Sequence, residues 1–479
     1  MIKTDLIIIG AGPGGYRAAG YAAQQGLKVV IFEGAHVGGT CLNEGCIPTK
    51  SFARNAEIVQ TLKESALFGL DNLSYDFRFQ QVVNRKNEVL ASLRSGIETL
   101  LSHPNITLVH GEARFVESLP PSPSKGRGGI EVPLVLAPPP FGGGGGEAPE
   151  ETYTAPNIIV ATGSVSKTLR LKEPASRPVL DSSDLLQTDH LPKSLCIIGA
   201  GVIGMEFASI FSAFGTQVTV VEFLKECLPT LDSDIAKRLR KVLEKRGVTF
   251  NLQCGVTAIT PAGVTFTNKK GQEETVQADE VLMAVGRAPR VFDHFRNAGF
   301  EYDERRGITV DDYCQTTVPG IYAIGDVNGR MMLAHAAEAQ AKLVIDHIVA
   351  QRTAQPKSQT SNLKSQIIPA AIFTNPEAAC VGPTEDQLKA DGVAYECRKA
   401  FHRANGKALA MNETEGMVKL LSEPDAGRIL GCHAFGAHSA DMVQEVSTLM
   451  CRNTTVAQLR HMVHIHPTLG EILLAAAES

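Results

Sequence analysis

One local design occurs twice in this chain, and the repetition limits the fold more than any other feature. Leu6-Ile7-Ile8-Ile9 is a short apolar run ending in Gly10-Ala11-Gly12-Pro13-Gly14-Gly15. An Ala-rich stretch, Ala18 to Gln25, follows, and then Val29-Val30-Ile31-Phe32-Glu33. The second copy runs Leu195-Cys196-Ile197-Ile198, then Gly199-Ala200-Gly201-Val202-Ile203-Gly204, a helical stretch to about Phe214, and Val218 to Glu222. In each copy the acidic residue stands 23 positions after the first glycine. Strand, glycine turn, helix and second strand together make a dinucleotide-binding unit, here present in duplicate.

The glycines have separate tasks. The first permits the tight turn, the second lets backbone approach a pyrophosphate, and the third lets helix and strand pack closely. The helix N-terminus then favours the phosphates. Gly199, Gly201 and Gly204 fill these places in the second copy; in the first, Gly15 fills the third place when the count is Gly10, Gly12, Gly15. The acidic residues, Glu33 and Glu222, are expected to accept hydrogen bonds from ribose hydroxyls. Glu222 argues for NAD, because a carboxylate there repels the 2′-phosphate of NADP, and Phe223-Leu224 supplies no arginine to hold one. Lys225 is the opposing signal. A further nucleotide signal is Thr316 to Asp326, where a strand ends at Gly325 and places Asp326 to bond the ribityl chain of FAD. An aspartate after a strand is more often a helix cap, so the signal gains meaning only beside the turn at Gly10. Ala161-Thr162-Gly163 and Ala284-Val285-Gly286-Arg287 end apolar strands in small residues, as crossings between nucleotide domains would.

The 479 residues allow about three domains. With 43 % hydrophobic and 20 % charged residues the composition is that of a soluble globular enzyme. A net charge of −5 provides no basic field for nucleic acid. No apolar run reaches the ~18–20 residues of a membrane span. The start, Met1 to Asp5, passes directly into the first strand, which predicts no leader and a cytoplasmic chain. The expected class is α/β: two Rossmann-like dinucleotide-binding domains and a C-terminal α+β domain. The expected segments are 1–165, 166–286, 287–362 and 363–479. Residues 118–151, with Pro138 to Pro140 and Gly142 to Gly146, read as a disordered or loosely held surface insertion. Gln351 to Gln366 reads as a linker.

Ten cysteines in such a chain are not a disulfide framework. Eight are scattered singly and read as small buried hydrophobes. Cys41 and Cys46 alone stand close together, in Gly38-Gly39-Thr40-Cys41-Leu42-Asn43-Glu44-Gly45-Cys46-Ile47-Pro48-Thr49-Lys50, with no histidine at zinc-ligand spacing. Positions five apart fall on different faces of a regular helix, so a disulfide between them requires a distorted turn. Gly45 makes the distortion cheap, and Pro48 suits a helix start. So small a loop adds little stability, which favours a redox role over a structural one. Near the C-terminus, His466 precedes Pro467 and has Glu471 five residues on. Thiol–disulfide exchange needs a proton acceptor, and a carboxylate can orient an imidazole. His461 and His464 read as ordinary surface or packing residues.

With these motifs the whole chain, outside the insertion, resembles the pyridine-nucleotide disulfide oxidoreductase family. The resemblance rests on Gly38 to Lys50, both glycine turns, Ala323-Ile324-Gly325-Asp326, and His464-Ile465-His466-Pro467-Thr468-Leu469-Gly470-Glu471. Leu42, Ile47 and the last of these stretches are most similar to members that oxidise dihydrolipoamide. The resemblance implies that Cys41 is the interchange thiol and Cys46 the thiol nearest the flavin, in charge-transfer contact with it. It implies that Lys50 lies near the flavin N5 and pairs with Glu206. Gly10, Gly12, Gly14, Gly15, Glu33, Thr40, Lys50, Thr162, Gly163, Gly325, Asp326 and Ala334 would hold FAD, and Gly199, Gly201, Gly204, Glu222 and Gly286 would hold NAD. His466 would come from the other subunit of a homodimer. The implied reaction is oxidation of dihydrolipoamide on lipoyl domains of 2-oxoacid dehydrogenase complexes, or on a glycine-cleavage carrier, with reduction of NAD⁺. The alternatives are an NADPH-dependent glutathione-type reductase, which would carry arginines beyond the second nucleotide strand, and a non-catalytic docking or redox-sensing subunit. A mercuric reductase would end in a cysteine pair, whereas this chain ends Ala475-Ala476-Ala477-Glu478-Ser479. Glu44, Gly470 and the insertion depart from the family pattern.

Overall fold

The computed structural model describes residues 1–115, 135–137, 151–353 and 366–479. They form two compact units: Met1–Pro48, Arg85–Ser166 and Arg287–Gln366 make the first, and Thr49–Asn84, Lys167–Gly286 and Ile367–Ser479 the second.

The first unit is built on a five-stranded parallel sheet. Its order is Ile321–Ala323, Asn157–Val160, Leu6–Ile9, Val29–Glu33, Ile106–His110. The central strand Leu6–Ile9 is buried along its whole length, as a strand covered on both faces must be. Helix Pro13–Gln24 lies against helix Ala334–Thr353, and small residues set the distance: a Cβ on Gly14 would come 3.4 Å from the Cβ of Ala337. A smaller sheet joins Ile2–Lys3, Glu151–Thr154, Val135–Ala137 and Arg114–Phe115. Within the expected insertion at 118–151, Val135–Ala137 forms a strand. Its apolar residues pair on both sides, with Arg114–Phe115 and with Glu151–Thr154. The Pro- and Gly-rich remainder of that insertion lies outside the described residues, as does most of the expected linker.

The second unit repeats the parallel design with Thr249–Leu252, Gln217–Glu222, Ser194–Ile198 and Glu280–Met283, and adds an antiparallel three-stranded sheet, Gly255–Thr260, Gly263–Thr267 and Glu273–Val276. Its C-terminal part is an antiparallel sheet ordered Ala370–Ile372, Ala378–Val381, Ile429–Phe435, Met417–Ser422, Glu396–Phe401, with helices Ser439–Cys451 and Glu471–Glu478 beside it. Phe52, Phe211, Leu239, Met417 and Phe435 belong to one buried cluster of this unit. Each such side chain contributes about 1.5–3 kcal/mol by leaving water. No helix among the described residues is long and apolar enough to cross a membrane.

Candidate active site

The first glycine turn leaves no room for side chains where the backbone doubles back. Gly10 has φ 104°, and a Cβ there would lie 2.4 Å from the carbonyl oxygen of Ala161. A Cβ on Gly15 would lie 1.8 Å from the oxygen of Gly10, so Gly15, not Gly14, takes the third place. Gly12 caps helix Pro13–Gln24, with Pro13 in its first turn, where the missing N–H costs nothing. A Cβ on Gly12 would meet only the Cα of Gly39, at 3.9 Å. Glu33 braces the turn: its carboxylate accepts from the amides of Ala11 at 2.7 Å and Ala35 at 2.9 Å.

The second turn is the same device. A Cβ on Gly199 (φ 104°) would lie 2.5 Å from the Ala284 oxygen, and one on Gly204 would lie 2.0 Å from the Gly199 oxygen. Gly201 caps helix Val202–Phe214, and a Cβ on it would meet nothing within 4 Å. The outer face of this turn is thus open to a ligand, which fits a pyrophosphate. Glu222 accepts from the amides of Ala200 at 2.5 Å and Leu224 at 2.7 Å. Besides the ribose role expected of them, Glu33 and Glu222 both hold their turns. A carboxylate has about four acceptor sites, so capacity for a ribose hydroxyl remains.

Asp326 lies in the single 3₁₀ turn Gly325–Asn328. It accepts from the Ser164 hydroxyl at 2.5 Å, and that hydroxyl accepts from Nε of Arg287 at 2.7 Å. Burial raises its pKa, against the opposing effects of Ser164 and Arg287. A buried carboxyl with spare acceptor sites fits a polyol chain such as the ribityl of FAD. Gln340, fully buried, accepts from the amide of Gly325 at 2.7 Å and from Asn328 at 2.9 Å. The sequence had not pointed to Ser164 or Gln340. The Thr162 hydroxyl donates to the Arg290 oxygen, and Gly163 (φ 76°) accepts from the Arg290 amide. Gly286 (φ 104°) accepts from the Lys167 amide. Ala334 opens helix Ala334–Thr353.

Cys41 sits in the short helix Gly39–Asn43, and Cys46 is the first residue of helix Cys46–Lys63. The helix breaks between them. Glu44 takes φ −139°, and a Cβ on Gly45 would approach the Thr40 oxygen to 3.0 Å. This is the distorted turn that the spacing demands. Asn43 anchors it, donating to the oxygens of Val37 at 3.1 Å and Gly39 at 3.0 Å, while Arg94 donates to its Oδ1 at 2.7 Å. The signal for Asn43 is an asparagine inside a cysteine motif; nothing local marks Arg94, which is distant in sequence. The Tyr16 phenol is raised in pKa by burial and by Glu338, with a smaller effect of Cys41.

In the second unit the Lys50 ammonium lies 3.0 and 2.9 Å from the two carboxylate oxygens of Glu206 and 4.7 Å from the centre of the Phe373 ring. Glu206 is 4 % exposed, inside a largely apolar helix, and a buried charge there needs partners. Lys50 and the Phe373 amide, at 2.9 Å, supply them. His466 Nδ1 meets Glu471 Oε1 at 2.9 Å, and Glu471 Oε2 accepts from the Thr468 amide at 2.8 Å. The Thr468 amide, then His466, hold the Glu471 carboxyl below its ordinary pKa. The carboxylate thus fixes the ring, while 81 % of the His466 side chain faces solvent. His464 is packed away on Glu445 at 3.0 Å, the packing role expected of it.

Comparison with known proteins gives concordant matches. Residues 4–341 match the model of the pyridine nucleotide-disulphide oxidoreductase family, and residues 368–477 that of its dimerisation domain. The chain is 33 % identical to the dihydrolipoyl dehydrogenase of Mycoplasma pneumoniae over 98 % of this chain and 97 % of the relative. It is 35 % identical to a dihydrolipoyl dehydrogenase of Bacillus subtilis over 99 % and 97 %. Among solved structures, the HOCl-induced flavoprotein disulfide reductase RclA of Escherichia coli, as its Cu(II) complex, superposes with a TM-score of 0.83 at 28 % identity, covering 100 % of this chain and 99 % of that one.

Proposed function

Because the chain belongs to the pyridine nucleotide-disulphide oxidoreductase family, whose cofactors are FAD and NAD, we propose that it oxidises dihydrolipoamide to lipoamide and reduces NAD⁺ to NADH. The observation that carries the reading is the joint presence of the Cys41 to Cys46 helix break, the Lys50–Glu206 pair and the His466–Glu471 pair. A docking or structural subunit has no use for all three.

The roles follow from chemistry. A dihydrolipoamide thiolate attacks Cys41 of the oxidised pair, breaking the Cys41–Cys46 bond and releasing Cys46 as thiolate. The second substrate thiol then displaces Cys41 and closes the lipoamide disulfide. Two electrons now reside on the cysteines, and two protons have left the substrate. His466 of the partner subunit accepts a proton, with Glu471 favouring the imidazolium. Lys50, one helical turn beyond Cys46, supplies positive charge that favours a thiolate. Gly10, Gly12, Gly15, Glu33 and Asp326 would hold FAD, which when bound passes the two electrons on to NAD⁺. Gly199, Gly201, Gly204 and Glu222 would hold that NAD⁺. The dimerisation domain supports a homodimer, and lipoyl domains are the natural donors of a tethered dithiol.

Steady-state turnover decides the substrate. The purified, FAD-loaded protein is expected to turn over dihydrolipoamide with NAD⁺ faster than glutathione disulfide with NADPH. The reverse order sinks the reading.

A further inference from the structure

Beyond the expected NAD residues, the second unit contains a buried charge network that no step above uses. Lys419 belongs to strand Met417–Ser422, which is buried throughout, and is itself 1 % exposed. Its ammonium lies 2.6 Å from Asp232 and 2.7 Å from Glu385. Asp232 is fully buried and caps helix Ser233–Lys245, accepting from the amides of Asp234 and Glu385 at 3.1 Å each. Tyr395 and Lys389 complete the shell of Glu385, each at 2.9 Å.

The network closes one end of a loop, 223–231. The other end is Glu222. Inside the loop, the Leu228 amide donates to the Ala200 oxygen at 2.9 Å, while the Ala200 amide donates to Glu222. Leu228 holds φ 50° and is 1 % exposed. A leucine in the left-handed region is strained and persists only where its surroundings over-determine it. Four residues further on, Asp232 is clamped by Lys419. The chain of contacts therefore runs from Lys419 through Asp232 and the strained loop to the glycine turn and Glu222.

We infer that Lys419, in the C-terminal domain, is a positioning residue for NAD: by clamping Asp232 it seats the 223–231 loop on the Gly199–Gly204 turn and so orients Glu222 and the turn amides for the adenosine half of the dinucleotide. Lys419 touches no ligand. The inference rests on the proposed use of this turn for NAD.

The test is calorimetric titration of ADP-ribose into the wild-type FAD-loaded dimer, K419M and E385Q, with hydrogen exchange of the loop amides measured alongside. In K419M we expect binding weakened about tenfold and faster exchange over Leu224 to Leu231, while dihydrolipoamide reduces the flavin at the wild-type rate. E385Q, which keeps one of the two lysine contacts, should weaken binding about threefold. ADP-ribose affinity within twofold of wild type in K419M overturns the inference. If K419M does not fold, unchanged affinity in E385Q overturns it equally. Wild-type protein that binds 2′-phospho-ADP-ribose more tightly than ADP-ribose removes the NAD reading, and the inference with it.

Discussion

The two glycine turns are nearly superimposable in their wiring and diverge one loop later. In the first, the Ala11 amide donates to Glu33 and the Ala11 oxygen accepts from the Gly38 amide at 2.8 Å. In the second, Ala200 makes the same two bonds with Glu222 and Leu228. Gly38 and Leu228 both have positive φ, 97° and 50°. Past that point the first loop leads into the helix carrying Cys41, tied down by Asn43 and Arg94. The second leads to Asp232 and the buried lysine. One backbone device thus serves two ends. The loop that leads to the cysteine pair is short and bounded by glycines; the loop that follows Glu222 is longer and ends on the buried Asp232–Lys419 pair.

The largest expected losses come from damaging each turn at its third glycine. Gly15→Ala forces a methyl group to within 1.8 Å of a carbonyl oxygen and Gly204→Ala to within 2.0 Å, so neither turn can keep its shape. Gly15→Ala should purify without flavin and show no turnover. Gly204→Ala should retain flavin that dihydrolipoamide still reduces, while NAD⁺ turnover falls at least ~10²-fold, the loss expected when ~3 kcal/mol of binding is removed. Absorbance of bound flavin separates the two outcomes. Flavin loss in Gly204→Ala would mean that the second turn does not serve NAD alone.

Cys41→Ser strikes the cysteine pair directly. Dihydrolipoamide oxidation should drop ~10³-fold or more, as for loss of a covalent nucleophile. Flavin reduction by NADH, followed with an artificial electron acceptor, should stay within twofold. Equal loss in both assays would deny Cys41 a role confined to the dithiol. Glu471→Gln keeps the shape of the side chain but replaces the carboxylate beside His466, and should slow dithiol oxidation by ~10–10²-fold with little change in thermal midpoint. A fall in stability without a fall in rate would make the pair structural.

Much of this was legible in the sequence because both turns are local. In each copy the apolar run, the glycines and the acidic residue lie within 28 residues, Leu6 to Glu33 and Leu195 to Glu222, and steric exclusion at Gly10, Gly15, Gly199 and Gly204 leaves one geometry. The break between Cys41 and Cys46 was equally local. Lys50 with Glu206, 156 residues apart, came through resemblance, and the structure brings them into a bidentate pair. What could not be read is the support from distant segments. Arg94 reaches Asn43 across 51 residues, and Lys419 reaches Asp232 across 187. A lone lysine in an apolar strand carries no sign of its partner. Within the insertion, Pro- and Gly-rich flanks dominate the composition and carry no sign of Val135–Ala137, which tertiary pairing makes a strand.

The smallest expected effect tests the charge lock that only the second loop possesses. Burial alone would raise the Glu385 carboxyl, but hydrogen bonds from Lys419, Lys389 and Tyr395 outweigh it and pull its pKa down from 4.5 to about 2. A group with a depressed folded pKa stabilises the native state above its unfolded pKa and loses that contribution as pH falls through the folded value. The window is therefore about pH 4.5 down to about 2. With the Glu385 side chain 19 % exposed, the contribution is roughly 1–3 kcal/mol. Urea midpoints of wild type and E385Q should differ at pH 6 and converge as pH drops through that window. A gap that stays constant down to pH 2 would show that Glu385 acts by packing and not by charge. Because the lock sits at the far end of the 223–231 loop, the same acid titration should also loosen ADP-ribose binding in wild type more than in E385Q.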